Sequence, residues 1–194
     1  RGSGLMTEAV QLVVENAFGP RGLALERLLW RAQVGNWPSR KVAWRSGFRF
    51  DGTVRSELAQ RGQRHDAWVA TLLSTDKREP LLPWFDVPTL HGKGIVLRRW
   101  QNSDADAVVE ACNDPVTRHW LGGLPDPYTH DTALAYIADR EHYHATARGV
   151  HWAAAVDGAG PAVGSFSLMA PTGGDSPIRH TAEDPGDLVR VATD

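Results

Sequence analysis

A proline-rich segment divides the hydrophobic pattern of this chain into two parts. Residues 76–92 (DKREPLLPWFDVPTLHG) contain three prolines and show neither a helical nor a strand period. Proline interrupts helices and central strands, so we predict a linker here, with Trp84 and Phe85 packed against a neighbouring surface. The sequence therefore predicts structured regions over residues 1–75 and 93–170.

The two ends of the sequence differ from the regions between them. Residues 171–194 contain no aromatic residue and many Gly, Pro and Asp, so we predict a flexible tail or loop, with a strand at residues 188–192. The sequence begins with Arg1, in what resembles the middle of a functional loop. We therefore expect a fragment of a longer polypeptide.

The composition is that of an ordinary globular domain, with 42% hydrophobic residues, 23% charged residues and a formal net charge of -2. No run reaches the roughly 18 apolar residues that a membrane span needs, and the start lacks the apolar core of a secretory signal. The single cysteine, Cys112, excludes an intrachain disulfide and a cysteine zinc cage within one chain. We expect a cytoplasmic protein with no membrane partner and no metal.

Charge is unevenly distributed along the sequence. Residues 1–75 hold 11 Lys+Arg against 6 Asp+Glu, whereas residues 76–194 hold 10 against 17. The first part therefore suits an anionic ligand. Its basic residues are scattered among Trp, Leu and Val and form no stripe, so we expect no nucleic-acid partner.

Periodicity predicts the order helix, strand, helix, strand, strand in the first region. The predicted segments are a helix over 7–18, a strand over 26–34, a helix from about 36–39 to Arg45, a strand at Phe48 and Phe50, and a strand over 67–73. In the second region we predict a strand over 95–100, a helix capped by Ser103 and reaching Asn113, a helix over 132–147, and strands over 150–156 and 162–168 joined by a hairpin.

The Gly-rich start leads directly into the first predicted helix. Glycines at Gly2 and Gly4 remove side chains from the turn, so that backbone N–H groups can converge on a ligand, and the helix N-terminus adds partial positive charge. Such a loop binds phosphate or pyrophosphate, although a Gly-rich helix start is as often only a cap. No Gly-Lys-Ser/Thr follows, which excludes a P-loop.

Two motifs resemble the GNAT acetyltransferase superfamily in its RimJ/RimL-like form. The run from Arg1 through Gly4 to Ala9 resembles the family's Arg/Gln-x-x-Gly-x-Gly/Ala motif. The segment from Asn36 to Phe48 resembles its Asn-x-x-Ser helix and Gly-Phe exit. The resemblance implies an α/β GNAT (acyl-CoA N-acyltransferase) fold, a mixed sheet flanked by helices, and acetyl transfer from acetyl-CoA to an amine of a protein N-terminus or a small molecule.

The resemblance also implies roles for individual residues. Backbone amides of the Gly-rich loop would wrap the pyrophosphate of acetyl-CoA, and Asn36 would hydrogen-bond the pantetheine arm. Either Arg40 or Lys41 would approach the phosphates. Ser39 would donate a proton to the departing thiolate, since Ala43 stands where many relatives carry a tyrosine. The loop residues concerned are Arg1, Gly2, Ser3, Gly4, Leu5, Met6 and Thr7.

The second region resembles the beginning of a GNAT domain, so the halves stand in reversed order, with a C-terminal half over 1–75 and an N-terminal half over 93–170. Either the chain straddles two tandem GNAT domains, or its halves fold together as a permuted or exchanged domain; the partner implied is a second GNAT domain or a second copy in a homodimer. Both alternatives lack the fourth strand that normally precedes the Gly-rich loop. A non-catalytic module that binds CoA or a partner chain is therefore the alternative function.

Other conspicuous residues favour structural explanations. His142 and His144 lie two apart on a predicted helix and point to different sides, which argues against a metal site. Asp104 and Asp106 suit the first turn of a helix through its dipole. We expect Cys112 to be a packed, inert thiol.

Overall fold

The computed structural model describes residues 4–156 and 160–169, which fall into two compact units, 1–82 and 83–194. The boundary between units 1 and 2 lies inside the segment interpreted as a linker. Arg1, Gly2 and Ser3, the middle of the predicted hairpin connection, and the predicted tail all lie outside the described residues. No helix in the described part of the chain is long and apolar enough to cross a membrane.

Unit 1 has the element order that periodicity predicted. Its elements are α1 (Leu5–Phe18), β1 (Arg27–Gln33), α2 (Trp37–Arg45), β2 (Arg49–Gln60) and β3 (Gln63–Leu73). The three strands form an antiparallel sheet in the order β1-β3-β2. The central strand carries half of the unit's buried apolar side chains, including the fully buried Leu72.

Local sequence accounts for the start and end of α2. Pro38 lies in its first turn, where a missing N–H removes no helical hydrogen bond. The helix is followed by Gly47 at φ 85°, and a Cβ there would lie 2.7 Å from the carbonyl oxygen of Lys77. Only glycine fits this turn, which returns the chain to the sheet as β2.

The hairpin of β2 and β3 is much longer than the short strands predicted for it. No residue of β2 is buried, so the apolar alternation that reveals a half-buried strand is missing. The ladder is also interrupted between Phe50 and Gly52 and between Val54 and Leu58. Its two-residue turn, Arg61 and Gly62, has positive φ at both positions, as in a type I′ hairpin.

Unit 2 contains a second antiparallel sheet, in the order β4-β5-β6-β7. Its elements are β4 (Leu90–His91), β5 (Ile95–Arg98), a 3-10 turn (Asn102–Asp104), α3 (Ala105–Asn113), α4 (Pro115–Trp120), α5 (His130–Ala145), β6 (Gly149–Val156) and β7 (Ala162–Met169). The sequence missed β4, which has two residues, and α4, which buries none. The α/β class is confirmed, with the described strands divided between two sheets.

The start of α3 differs from the prediction. Ser103 was expected to cap this helix and the expectation is wrong, because Ser103 lies within the 3-10 turn and α3 begins after Asp104. The carboxylate of Asp104 instead accepts the backbone N–H of Gln101 at 2.9 Å and both guanidinium nitrogens of Arg98 at 2.8 Å. Asp104 is 0% exposed, so its role here is structural.

Helices α3 and α5 enclose the apolar core of unit 2. The buried cluster consists of Ala105, Val108, Cys112, Tyr128, Ala133 and Ile137. Burial raises the pKa of the Cys112 thiol, as expected for a packed cysteine that is not ionised. His144 is also buried, and its Nε2 accepts the backbone N–H of His151 at 3.1 Å.

Candidate functional site

The N-terminus of α1 has no side-chain cap. Gly4 occupies the N-cap position at φ 79° and ψ -13°, and the first backbone bond of the helix runs from Glu8 N to Gly4 O at 3.1 Å. The amides of Leu5, Met6 and Thr7 precede that bond, and such first-turn amides have no acceptor inside a helix. This end of α1 therefore presents N–H groups and the positive end of a helix dipole.

The surroundings of Gly4 leave room for a ligand. A Cβ placed on Gly4 would have no heavy atom of the described residues within 4 Å. The neighbouring side chains of Leu5 and Met6 are 68% and 65% exposed, and no acidic side chain precedes Glu8 in the described part of the helix. The arrangement fits an anionic group such as the pyrophosphate of a coenzyme.

The first turn of α2 brings two of the predicted site residues together. The Asn36 side chain caps the helix, its Oδ1 accepting the backbone N–H of Ser39 at 3.2 Å. That bond uses the oxygen of the amide and leaves the Nδ2 hydrogens to donate elsewhere. The Ser39 hydroxyl oxygen accepts a bond from the indole Nε1 of Trp30 at 3.2 Å.

Arg40 turns its guanidinium towards aromatic rings of unit 1. Its Cζ lies 3.9 Å from the centroid of Phe50, 4.6 Å from that of Trp68 and 5.2 Å from that of Trp37. The residue is only 5% exposed, and burial lowers the pKa of Arg40 to about 10. These cation–π contacts of Arg40 with Phe50 and Trp68 stabilise the packing of the start of α2 against β2 and β3. The predicted approach of Arg40 to phosphates stays a prediction.

The sequence did not identify Trp30 as a partner of Ser39. In β1 the side chains of Leu28, Trp30 and Ala32 alternate with exposed neighbours, so they share one face of the predicted strand. The sequence gave no sign of the indole bond, because the two residues lie nine apart and on different elements.

Unit 2 contains an open cavity of about 1420 Å³ between its helices and β7. Aromatic walls come from Trp100, Tyr128 and Tyr136, and the rings of Trp100 and Tyr136 meet edge to face at 5.6 Å. Its charged side carries Arg140, which lies 4.3 Å from the Tyr136 ring and donates to the Asp139 carboxylate at 2.8 Å. Burial raises the pKa of the Tyr136 phenol, which therefore stays neutral.

Polar groups at this cavity can orient a ligand. The Tyr136 hydroxyl shares a hydrogen bond of 3.3 Å with Ser165. The buried indole N–H of Trp100 has no partner among the described residues. No group of three or more His, Cys, Asp or Glu side chains in the described ranges is arranged to hold a metal ion.

A sequence profile described as "Acetyltransferase (GNAT) domain" matches residues 1–49 and 95–183, well over half of the chain. The chain belongs to the GNAT acetyltransferase domain family. The match includes the start of α1 and the whole of α2, and leaves residues 50–94 outside. Membership supports the α/β GNAT fold class. No curated protein matches this GNAT chain.

Solved structures resemble parts of this GNAT chain. A protein described as a probable acetyltransferase is 37% identical, with 38% of this chain and 40% of that one covered and a TM-score of 0.34. A GNAT-family protein from Chromobacterium violaceum is 35% identical, with 38% and 36% covered and a TM-score of 0.34. RimL, a ribosomal L7/L12 N-acetyltransferase solved with coenzyme A, is 25% identical, with 38% and 40% covered and a TM-score of 0.34. The chain thus spans about two fifths of the length of these structures.

Proposed function

We propose that this chain is an N-acetyltransferase that takes its acetyl group from acetyl-CoA and passes it to a primary amine. The observation that carries the proposal is the N-terminus of α1, which has no side-chain cap and is not obstructed by any of the described residues, within a segment that the GNAT family profile matches. The finer assignment to RimJ/RimL-like enzymes and a cytoplasmic location belong to the same proposal.

The residues of unit 1 fit the cofactor by the chemistry of their donors. Amides of Leu5, Met6 and Thr7, together with the loop of Arg1, Gly2, Ser3 and Gly4, would bind the pyrophosphate. The free Nδ2 of Asn36 would donate to an amide carbonyl of the pantetheine arm. Arg40 would support this site by holding the first turn of α2 against the sheet.

The chemistry then needs a proton donor where the thioester breaks. When bound, acetyl-CoA supplies an activated acyl group that an amine nitrogen can attack directly. Ser39 would donate its hydroxyl proton to the sulfur as the C–S bond breaks, which stabilises the developing thiolate. Ser39 would regain a proton from solvent, while the acceptor nitrogen releases one, so that protons balance.

We further propose that the cavity of unit 2 binds the amine acceptor. Asp139 is one of the acidic residues that line this cavity, and its carboxylate would attract a cationic amine. Aromatic walls suit an acceptor whose amine is attached to an apolar or aromatic group. A protein N-terminus whose first residue is apolar or aromatic would meet this description, and so would a small apolar or aromatic amine.

The proposal includes a domain organisation. Residues 1–75 would be the C-terminal half of a GNAT domain, 93–170 the N-terminal half of a GNAT domain, and 76–92 the linker between them. The tandem arrangement would supply the missing fourth strand from elsewhere in the polypeptide, whereas a permuted or exchanged domain would supply it within the chain or from a homodimer partner.

One observation favours a second candidate, a non-catalytic module that binds CoA or a partner chain. The proposed cofactor residues all belong to unit 1 and the acceptor cavity belongs to unit 2. If the two units serve different domains, the chain by itself would bind CoA without turnover.

Titration calorimetry with acetyl-CoA, followed by a thiol-release assay over a panel of primary amines, separates these functions. Binding with thiol release is the expected result. Binding without release from any amine would favour the module, and absence of binding would contradict both candidates.

A glycine variant tests the location of the cofactor. Gly4→Val adds a branched side chain at the α1 terminus and should weaken acetyl-CoA binding by about tenfold or more, roughly 1.4 kcal/mol. The matched control is Gly62→Val, which has nearly the same φ of 77° and equally open surroundings, but lies in the β2–β3 turn. Equal affinity of the two variants would place the pyrophosphate elsewhere.

A further inference from the structure

The Ser39 hydroxyl is arranged differently from the other serine of the same helix region. Ser46, at the C-terminal end of α2, donates its hydroxyl hydrogen to the carbonyl oxygen of Val42 at 3.0 Å. That bond to the preceding turn is the usual arrangement of a helical serine. Ser39 makes no such bond among the described residues and instead accepts from Trp30.

The identity of the donor fixes the direction of this bond. An indole N–H can only donate, so the Ser39 oxygen must be the acceptor. A hydroxyl has one hydrogen and two lone pairs, and the bond from Trp30 engages a lone pair. The hydroxyl hydrogen is therefore still available for donation, and the position of Oγ is held.

The β-sheet holds the indole in place. Trp30 lies on β1, paired with Ala70 of the central strand β3, and its side chain is half-buried on the same face as Leu28 and Ala32. The Asn36 cap fixes the other side of the contact, because it binds the backbone N–H of Ser39. Both partners of the 3.2 Å bond are thus anchored independently.

We propose that Trp30 is a positioning residue for proton donation by Ser39. Its indole N–H holds Oγ and leaves the hydroxyl hydrogen directed away from the indole, and it polarises the O–H bond so that the proton is given up more readily. This inference rests on the proposed function, in which Ser39 protonates the departing sulfur. Trp30 itself touches neither substrate nor cofactor in this scheme.

Trp30→Phe tests the inference in the full 194-residue chain. The variant keeps an aromatic ring and deletes the donor, and we expect kcat to fall about fivefold, with the KM for acetyl-CoA within twofold of wild type. The matched control is Trp44→Phe, which deletes an indole N–H that donates to the Leu82 carbonyl at 2.7 Å. Its kcat should stay within twofold of wild type.

A double-mutant cycle distinguishes positioning from packing. Ser39→Ala should lower kcat by about 100-fold, and adding Trp30→Phe to it should cause no further loss. A fivefold loss that persists without the Ser39 hydroxyl would mean that the indole acts through packing, and would overturn the inference. An unchanged kcat in Ser39→Ala would remove Ser39 from the proposed mechanism and the inference with it.

Nuclear magnetic resonance of the indole N–H groups gives a readout that needs no turnover. In Ser39→Ala the Nε1–H resonance of Trp30 should shift and its hydrogen exchange should accelerate at least about threefold, while that of Trp44 stays unchanged. An unaltered Trp30 resonance would show that the bond is not formed in solution and would overturn the inference, whatever the kinetics. Intact resonances in a chain that binds no acetyl-CoA would contradict the proposed function and, through it, the role assigned to this bond.

Discussion

Two helix starts, one in each unit, differ in the residue at the N-cap position and in what surrounds it. The 3-10 turn that leads into α3 has its own buried carboxylate, Asp104, held by Arg98 and by the backbone N–H groups of Gln101 and Ala162. Helix α1 begins at Gly4 with no side-chain cap and open surroundings. The positive end of a helix attracts anions. At α3 the buried Asp104 carboxylate occupies the N-cap position and bonds to neighbouring segments, whereas the first turn of α1 holds only the exposed Glu8.

This difference separates a structural terminus from a candidate binding terminus. A carboxylate that is fully buried and fully hydrogen-bonded stabilises the fold and is closed to ligands. A terminus whose amides have no internal acceptor contributes less to stability but is ready to bind an external anion. The comparison can be tested by removing the internal anion and by weakening the helix caps.

The largest effect is expected from Asp104→Ala. The change leaves the buried Arg98 guanidinium without its carboxylate, so unit 2 should lose about 3–5 kcal/mol of unfolding free energy. Hydrogen exchange of the β6 amides measures the loss, and the β3 amides of unit 1 are the internal reference. Asp106→Ala, whose side chain is 93% exposed in the same helix, should change stability by less than about 0.5 kcal/mol. Equal losses in the two variants would contradict the structural role of Asp104.

Acid should weaken the same helix start. Burial by itself raises the pKa of Asp104, but the bonds from Arg98 and from the Gln101 and Ala162 amides outweigh it, so the pKa lies below its usual value of 3.8. A depressed folded-state pKa contributes stability that is complete above about pH 3.9 and disappears as the pH falls through the folded value. Urea unfolding of unit 2 at about pH 5 and pH 2.5 should show this loss in wild type and a smaller one in Asp104→Ala. If wild type and Asp104→Ala lose the same unfolding free energy between the two pH values, Asp104 is not the source of the acid sensitivity.

A smaller effect is expected at α4, which begins with an exposed cap. The Asp114 side chain accepts the N–H groups of Val116 and Thr117 at 3.0 and 2.9 Å, and the helix buries no residue. Asp114→Ala should therefore destabilise unit 2 by about 1 kcal/mol in urea unfolding, whereas Asp114→Asn keeps an acceptor and should lose less than half of that. A loss as large as that of Asp104→Ala would mean that exposed and buried carboxylates at helix starts are equivalent.

The sequence predicted the elements whose signals are local and missed those whose signals are not. Pro38 and Gly47 mark the ends of α2, and the alternation of Leu28, Trp30 and Ala32 marks β1. The long β2–β3 hairpin was underestimated because β2 is exposed along its length and carries no apolar period.

The residues of the candidate site also divide into those with local sequence signals and those without. The Gly-rich start and the Asn36–Ser39 spacing are visible as motifs because they lie within single turns. The Trp30 indole and the rings around Arg40 come from other elements of the sheet, so only the fold brings them to α2. No motif in the sequence connects these residues.

The sequence by itself determined the family and the order of elements in unit 1, because the motifs and periods that show them lie within single turns, helices or strands. Tertiary structure decided which serine hydroxyl accepts an indole N–H, where the buried charge of unit 2 finds its partner, and how the aromatic cavity is assembled. Hydrogen-bond direction and burial depend on groups far apart in the chain, and only packing brings those groups into contact.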